Sequence, residues 1–112
     1  MLVKRSQGRE WIPTDHPGVE RALFRYNDTG GRSSFVRLKA GSRVPAHTHE
    51  GTEEVVVISG KVRLGDAELA EGDYLFTSPG EDHDVVAVTD TVIFVSSQKP
   101  TPIVAVGPKP PG

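Results

Sequence analysis

Apolar and polar positions change over in short bursts along this chain, and no apolar stripe recurs at the helical period. The segment "VERALFRY" (Val19–Tyr26) alternates in part, follows Gly18 and runs into "NDTGG", which predicts a strand ending in a turn. "SSFVRLKAG" is the next strand, closed by Gly41. "TEEVVVISG" is a strong β run with three consecutive valines, closed by Gly60. "KVRLGDAELAEGDYLFTSPGEDH" breaks into short strands at Gly65-Asp66 and Glu71-Gly72. "DVVAVTDTVIFVSS" reads as two strands around Thr89-Asp90. About eight to ten strands at intervals of ~8–12 residues predict an all-β sandwich or barrel.

The two ends of the chain read differently. Residues 1–18 form an irregular N-terminal arm, in which "WIPTDHPGV" carries Trp11 to pack on the body. Residues 19–98 form the barrel, and residues 99–112 a Pro/Gly-rich segment with one candidate edge strand, Ile103–Val106. Trp11, Phe35, Phe76 and Phe94 are expected in the core. The run Val55–Ile58 is apolar on both faces, so both should be covered. The N-terminal arm or a second subunit could supply the outer cover, and a homodimer is the expected assembly.

Beside that run stands "PAHTHEGTEE" (Pro45–Glu54), with two of the chain's four histidines. Residues i and i+2 of a strand share a face, so His47 and His49 would lie ~6.5 Å apart at their Cα atoms. Two imidazoles at that spacing can converge on one ion, at bond lengths of ~2.0–2.2 Å. On the next strand Glu53, Val55 and Val57 share one face, and Glu54, Val56 and Ile58 the other. If the valines face inward, so does Glu53, while Glu54 lies outside or behind it. In "SPGEDHDVV" a Pro-Gly turn feeds His83 into a new strand, facing inward with Val85. His16, in "TDHPG", reads as a loop residue.

Composition narrows the function. The chain has 112 residues, which suits one domain with a modest core and a thin stability margin. A bound metal or a partner subunit would widen that margin. Its net charge of -2 argues against nucleic acid or an anionic membrane as the main partner. With no cysteine, thiolate metal sites and disulfides are excluded. "MLVKRSQGRE" has no apolar h-region, and no stretch approaches the ~20 apolar residues of a membrane span, so a cytoplasmic location is expected. Its 12 glycines and 9 prolines mean many turns.

"GSRVPAHTHEGTEEVVVISG" resembles the first motif of the cupins: Gly41, His47, His49, Glu53 and Gly60 fall at that family's spacings. "GDYLFTSPGEDHDVVA" keeps Gly72, Gly80 and His83 of the second motif, with Ser78 in place of its proline and Ala87 in place of its asparagine. The wording is also similar to the cupin domain of ChrR-type anti-sigma factors. The resemblance implies a small double-stranded β-helix, or jelly-roll barrel. It also implies one divalent transition metal (Fe, Mn, Ni, Cu or Zn) held by His47, His49, Glu53 and His83.

Three functions follow from the resemblance. One is a mononuclear metal-dependent dioxygenase-like enzyme acting on a small oxygen-bearing organic substrate. Another is a zinc-binding structural or ligand-sensing module without catalysis. The third is a sugar isomerase or epimerase, which would want cationic side chains facing the pocket; Arg37, Lys39, Arg43, Lys61 and Arg63 are available for it.

Overall fold

A computed structural model describes residues 1–100. The strands are β1 (Ile12–Pro13), β2 (Val19–Tyr26), β3 (Arg32–Leu38), β4 (Arg43–Thr48), β5 (Glu53–Ser59), β6 (Lys61–Leu64), β7 (Ala67–Ala70), β8 (Tyr74–Thr77), β9 (Asp82–Ala87) and β10 (Thr91–Ser97). They form a six-stranded sheet, in the order β1-β2-β3-β10-β5-β8, and a four-stranded sheet, β4-β9-β6-β7. Every pairing is antiparallel. The two sheets face each other as a jelly roll, and the expected all-β class holds. There is no helix among the described residues, and hence none long and apolar enough to cross a membrane. The candidate strand Ile103–Val106 lies outside the described residues.

Strand periodicity fills the interior with aliphatic side chains. Val55 and Val57 of β5 are each 1% exposed, and Val36, Leu38, Val62, Leu64, Val85 and Ile93 join them from the inner faces of four other strands, β3, β6, β9 and β10. Burying a side chain of this kind stabilises the fold by roughly 1.5–3 kcal/mol. Gly60 makes the tight β5–β6 connection. Its φ is +87°, and a Cβ there would come within 2.1 Å of the Asp90 carbonyl oxygen.

Two expectations about the core need correction. The outer face of Val55–Ile58 is only partly covered by this chain: Val56 is half-buried and Ile58 is 42% exposed. The aromatic residues are not in the barrel. Phe35 and Phe94 have the opposite parity to the inward Val36 and Ile93, so they stand on the outer face of the six-stranded sheet. There they pack with each other and with Phe24, at ring-centroid distances of 6.2 Å for Phe35–Phe94 and 4.8 Å for Phe24–Phe35. Phe76 is 50% exposed. Parity decided their placement against size.

The arm covers part of this outer layer. β1 pairs with β2 through Ile12 and Arg21. The Arg9 guanidinium lies 4.9 Å from the Phe35 ring centre, and that of Arg37 lies 4.1 Å from the Trp11 ring.

Candidate metal centre

The sheets bring four side chains to one end of the barrel. His47 on β4 and His83 on β9 are cross-strand partners in the four-stranded sheet. Glu53 opens β5 in the opposite sheet. His49 lies just beyond the end of β4. The β4–β9 register shifts between Val44 and His47. Pro45 sits in that gap, where a residue without an N–H interrupts the ladder at no cost. One potential ligand atom from each of His47, His49, Glu53 and His83 lies within 4.8 Å of the other three. His47, His49 and Glu53 are buried and His83 nearly so. The sequence-predicted set is thus brought together, while Glu54 lies outside on the surface, accepting a hydrogen bond from the Tyr74 hydroxyl at 2.6 Å.

Main-chain carbonyls set the direction of two rings. His47 Nδ1 lies 3.1 Å from the Pro45 carbonyl and His49 Nδ1 lies 2.7 Å from that of Glu81. A carbonyl accepts only, so both Nδ1 atoms carry the proton, and each Nε2 is left free to face the cluster. The Pro79-Gly80 turn supplies this support. The Gly80 N–H donates to the His49 carbonyl at 2.7 Å, and Gly80 has a φ of +89°.

That arrangement suits a cation. His49 Nε2 stands 3.2 Å from Glu53 Oε1, and His83 Nε2 3.8 Å from the same oxygen. With Nδ1 already donating, His49 can meet the carboxylate only as an imidazolium or with a metal ion shared between them. Burial works to lower the His49 pKa, but the hydrogen bonds to Glu53 and to the Glu81 carbonyl outweigh it and hold the pKa above its ordinary value. Burial pushes the His83 pKa down, and His47 and His49 push it further; Glu53 opposes them. His83 Nδ1 is buried without a hydrogen bond of ordinary geometry among the described residues, although the Asp84 backbone stands close enough to favour its protonation. Three imidazoles and a carboxylate converging in an apolar wall can together satisfy a divalent ion.

The cluster opens on a cavity of ≈ 240 Å³ inside the barrel, with His47 and Glu53 in its wall. Aliphatic side chains line most of the rest, among them Val36, Val55 and Ile93. His16 is the loop residue expected, but it lines this cavity together with Thr14 and Asp15. None of Arg37, Lys39, Arg43, Lys61 and Arg63 lines it; Arg21 and Arg32 do. These two arginines were missed. The signal was present in the parity of β2 and β3, since Arg21 pairs with the inward Val36 and Arg32 shares a face with Ser34 and Val36.

A jelly roll with this His-x-His…Glu…His cluster is a cupin. The chain belongs to the ChrR cupin-like domain family, whose model matches residues 1–102. A curated relative, the DNA damage-repair/toleration protein DRT102 of Arabidopsis thaliana, is 39% identical over 98 residues, which is 81% of this chain. The chain spans only 31% of that relative's length. Among solved structures, an acetylacetone dioxygenase from Acinetobacter johnsonii superposes with a TM-score of 0.86 at 19% identity, over 97% of this chain and 80% of its own. The Rhodobacter sphaeroides SigE–anti-sigma ChrR complex gives 0.74 at 22% identity, over 85% of this chain and 52% of that one. At such identities these two likenesses establish the fold.

Proposed function

We propose that this cupin binds one divalent transition metal through His47, His49, Glu53 and His83, and acts as a dioxygenase-like enzyme on a small oxygen-bearing organic substrate. The observation that carries the reading is the pair of main-chain carbonyls that fix His47 and His49 with Nε2 turned toward Glu53 and His83. Rings held in this way lose little freedom on binding an ion. A bound metal would act as a Lewis acid toward the substrate's oxygen atoms and, where redox-active, supply electrons to O2. The chain's own contributions are to orient the three rings, to present the Glu53 carboxylate, and to exclude bulk water with Val36, Val55 and Ile93. The fold shared with an acetylacetone dioxygenase favours a diketone or a similar enolisable ligand.

The test has two stages. Tag-free protein, purified without added metal, is assayed by inductively coupled plasma mass spectrometry beside a His47→Ala/His83→Ala double variant. About one equivalent of iron, manganese, nickel or copper, lost in the variant, is the expected result. Oxygen uptake is then measured with acetylacetone and related 1,3-diketones and phenols. No uptake with any of the four metals overturns the enzymatic reading.

A second reading keeps the site and drops the catalysis: zinc holds a ligand-responsive module. Its support is the likeness to ChrR, which is seen in complex with SigE. About one equivalent of zinc with no oxygen uptake favours it.

We also propose a homodimer. Ile58, Tyr74 and Phe76, 42%, 53% and 50% exposed, share the outer face of the β5–β8 edge. Light scattering that gives a monomer at micromolar concentration overturns this.

A further inference from the structure

We propose that Arg21 and Arg32 form an anion-binding pair in the cavity wall, so that the ligand brought to the metal centre is a small organic carboxylate. This rests on the metal-centre reading for the position of the ligand's other end.

Both arginines are inward residues of the six-stranded sheet. Arg21 stands opposite Val36, whose neighbour across the sheet is Ile93. Arg32 exchanges hydrogen bonds with the Ser97 hydroxyl through its main chain, and Ser97 is in turn the cross-strand partner of Glu53. Arg32, Ser97 and Glu53 therefore form one row at the polar end of the barrel. Two strand spacings separate Arg32 from Glu53, ~10 Å at the backbone. A short acid can bridge a guanidinium and the cluster across that gap.

The other arginines with assigned partners show what is unusual here. Arg37 pairs with Glu20 at 2.7 Å, and Arg43 and Arg63 pair with Asp84 at 3.5 and 3.1 Å. All three lie on the outside or at the rim, and each has a carboxylate. Among the described residues Arg21 and Arg32 have none, although they are the two that line the cavity. Arg21 Nε is buried without a hydrogen-bond partner. A guanidinium left in that state is costly, and a ligand carboxylate would relieve it.

The local field agrees with the geometry. Burial lowers the Arg21 pKa, and the charge of Arg32 lowers it further, against weaker pulls from Tyr26 and Glu53. The two guanidinium groups therefore feel each other. Asp15 is the other carboxylate in the lining besides Glu53, and it is exposed at the rim with no ion pair to either arginine. Arginine forks bind carboxylates and phosphates alike. The cavity of ≈ 240 Å³, below the ~300–1,000 Å³ of most small-molecule sites, favours the smaller group.

The probe is 4,6-dioxoheptanoate, a 1,3-diketone with a carboxylate arm, set against its methyl ester. Binding is measured by isothermal titration calorimetry to metal-loaded and metal-stripped protein. Wild type should bind the acid about tenfold or more tightly than the ester. Arg21→Gln/Arg32→Gln should lose that preference while still binding the ester, which shows that the variant is folded. Equal affinity for acid and ester in wild type overturns the proposal, as does a preference that survives in the double variant. Binding of neither compound in either state overturns it too. Should the chain hold no metal, the metal-centre reading fails alone, and the acid's advantage over the ester is read on metal-stripped protein.

Discussion

The two ends of the barrel interior are built from the same strands and behave as different materials. At one end β10 begins with Thr91, opposite Leu38, over an interior of Val57 and Val62. At the other it ends with Ser97, opposite Glu53 and next to Arg32. The six residue steps from one to the other span ~20 Å. One end is dry and close-packed. The other gathers three histidines, a glutamate, two arginines and two serines around a cavity. The first end specifies and stabilises the fold; the second is a site whose groups need a counter-charge to be content.

Breaking the dry end should have the largest effect. Leu38 is 1% exposed and forms the cavity wall at its aliphatic end, so Leu38→Ala removes packing contacts and enlarges that end of the cavity. The expected loss is about 2–5 kcal/mol. Urea unfolding should give the same loss with and without chelator, because the lesion is far from the metal centre. A loss that depends on metal would show that the two ends are coupled.

Stripping the wet end comes next. Removal of a metal held at 100 times its Kd costs about 2.7 kcal/mol, and the melting temperature of wild type should fall. Glu53→Gln keeps the shape of the side chain and removes the charge. It should abolish most of that metal-dependent increment and leave the Leu38→Ala loss unchanged. An unchanged melting curve for demonstrably metal-free protein contradicts the assignment.

The wet end was also the more legible in the sequence, though unevenly. The inward direction of Glu53 could be read from the two-residue period it shares with Val55 and Val57, and the set His47, His49, Glu53 and His83 from its resemblance to the cupin motifs. Their support could not. The carbonyl that orients His49 belongs to Glu81, far along the chain, and reaches it only because the Pro79-Gly80 turn folds back on His49. Arg21 and Arg32 were hidden for a different reason. Parity puts Arg21 on the face of Val19 and Arg32 on that of Ser34 and Val36, but a charged side chain on an aliphatic face reads as a break in the alternation and not as a cavity group. The strands and the all-β class were readable from turns and alternation. The depth of a residue in the barrel was not, and neither was the outward placement of Phe35, Phe76 and Phe94, where size suggested core and parity overruled it.

A pH series sharpens the contrast further. In metal-free protein His49 has a pKa above the ordinary 6.5, so its stabilising effect is complete below pH 6.5 and is lost as pH rises through the higher folded value. His83 is depressed below 6.5, so its effect is complete above pH 6.5 and is lost as pH falls through the lower folded value. Stability without metal should therefore peak near pH 6.5 and decline on both sides. With metal the His49 proton must leave, so binding strengthens as pH rises and the optimum moves upward. Urea midpoints between about pH 5 and 9, with and without metal, measure both. Coincident optima would mean that His49 is not a ligand.

The smallest expected difference lies between two hydroxyl groups on β10. Thr91 Oγ1 is within 2.9 Å of the Lys61 carbonyl and 2.8 Å of the Thr89 carbonyl, and the residue is 1% exposed. Thr91→Val keeps the shape and removes the donor. The Lys61 carbonyl still accepts from the Val88 and Thr89 N–H groups, so it is not orphaned, and the cost should be about 1 kcal/mol. Ser97 Oγ accepts from the Arg32 N–H at 3.2 Å and donates to the Arg32 carbonyl at 3.4 Å, both long. Ser97→Ala opens onto the cavity, where water can take over both partners, so its cost should be about 0.5 kcal/mol or less. Urea unfolding of the two variants gives the order directly. A larger loss at Ser97 would mean that the polar end is as dry as the other, and that Arg32 is held there by the fold and not kept for a ligand.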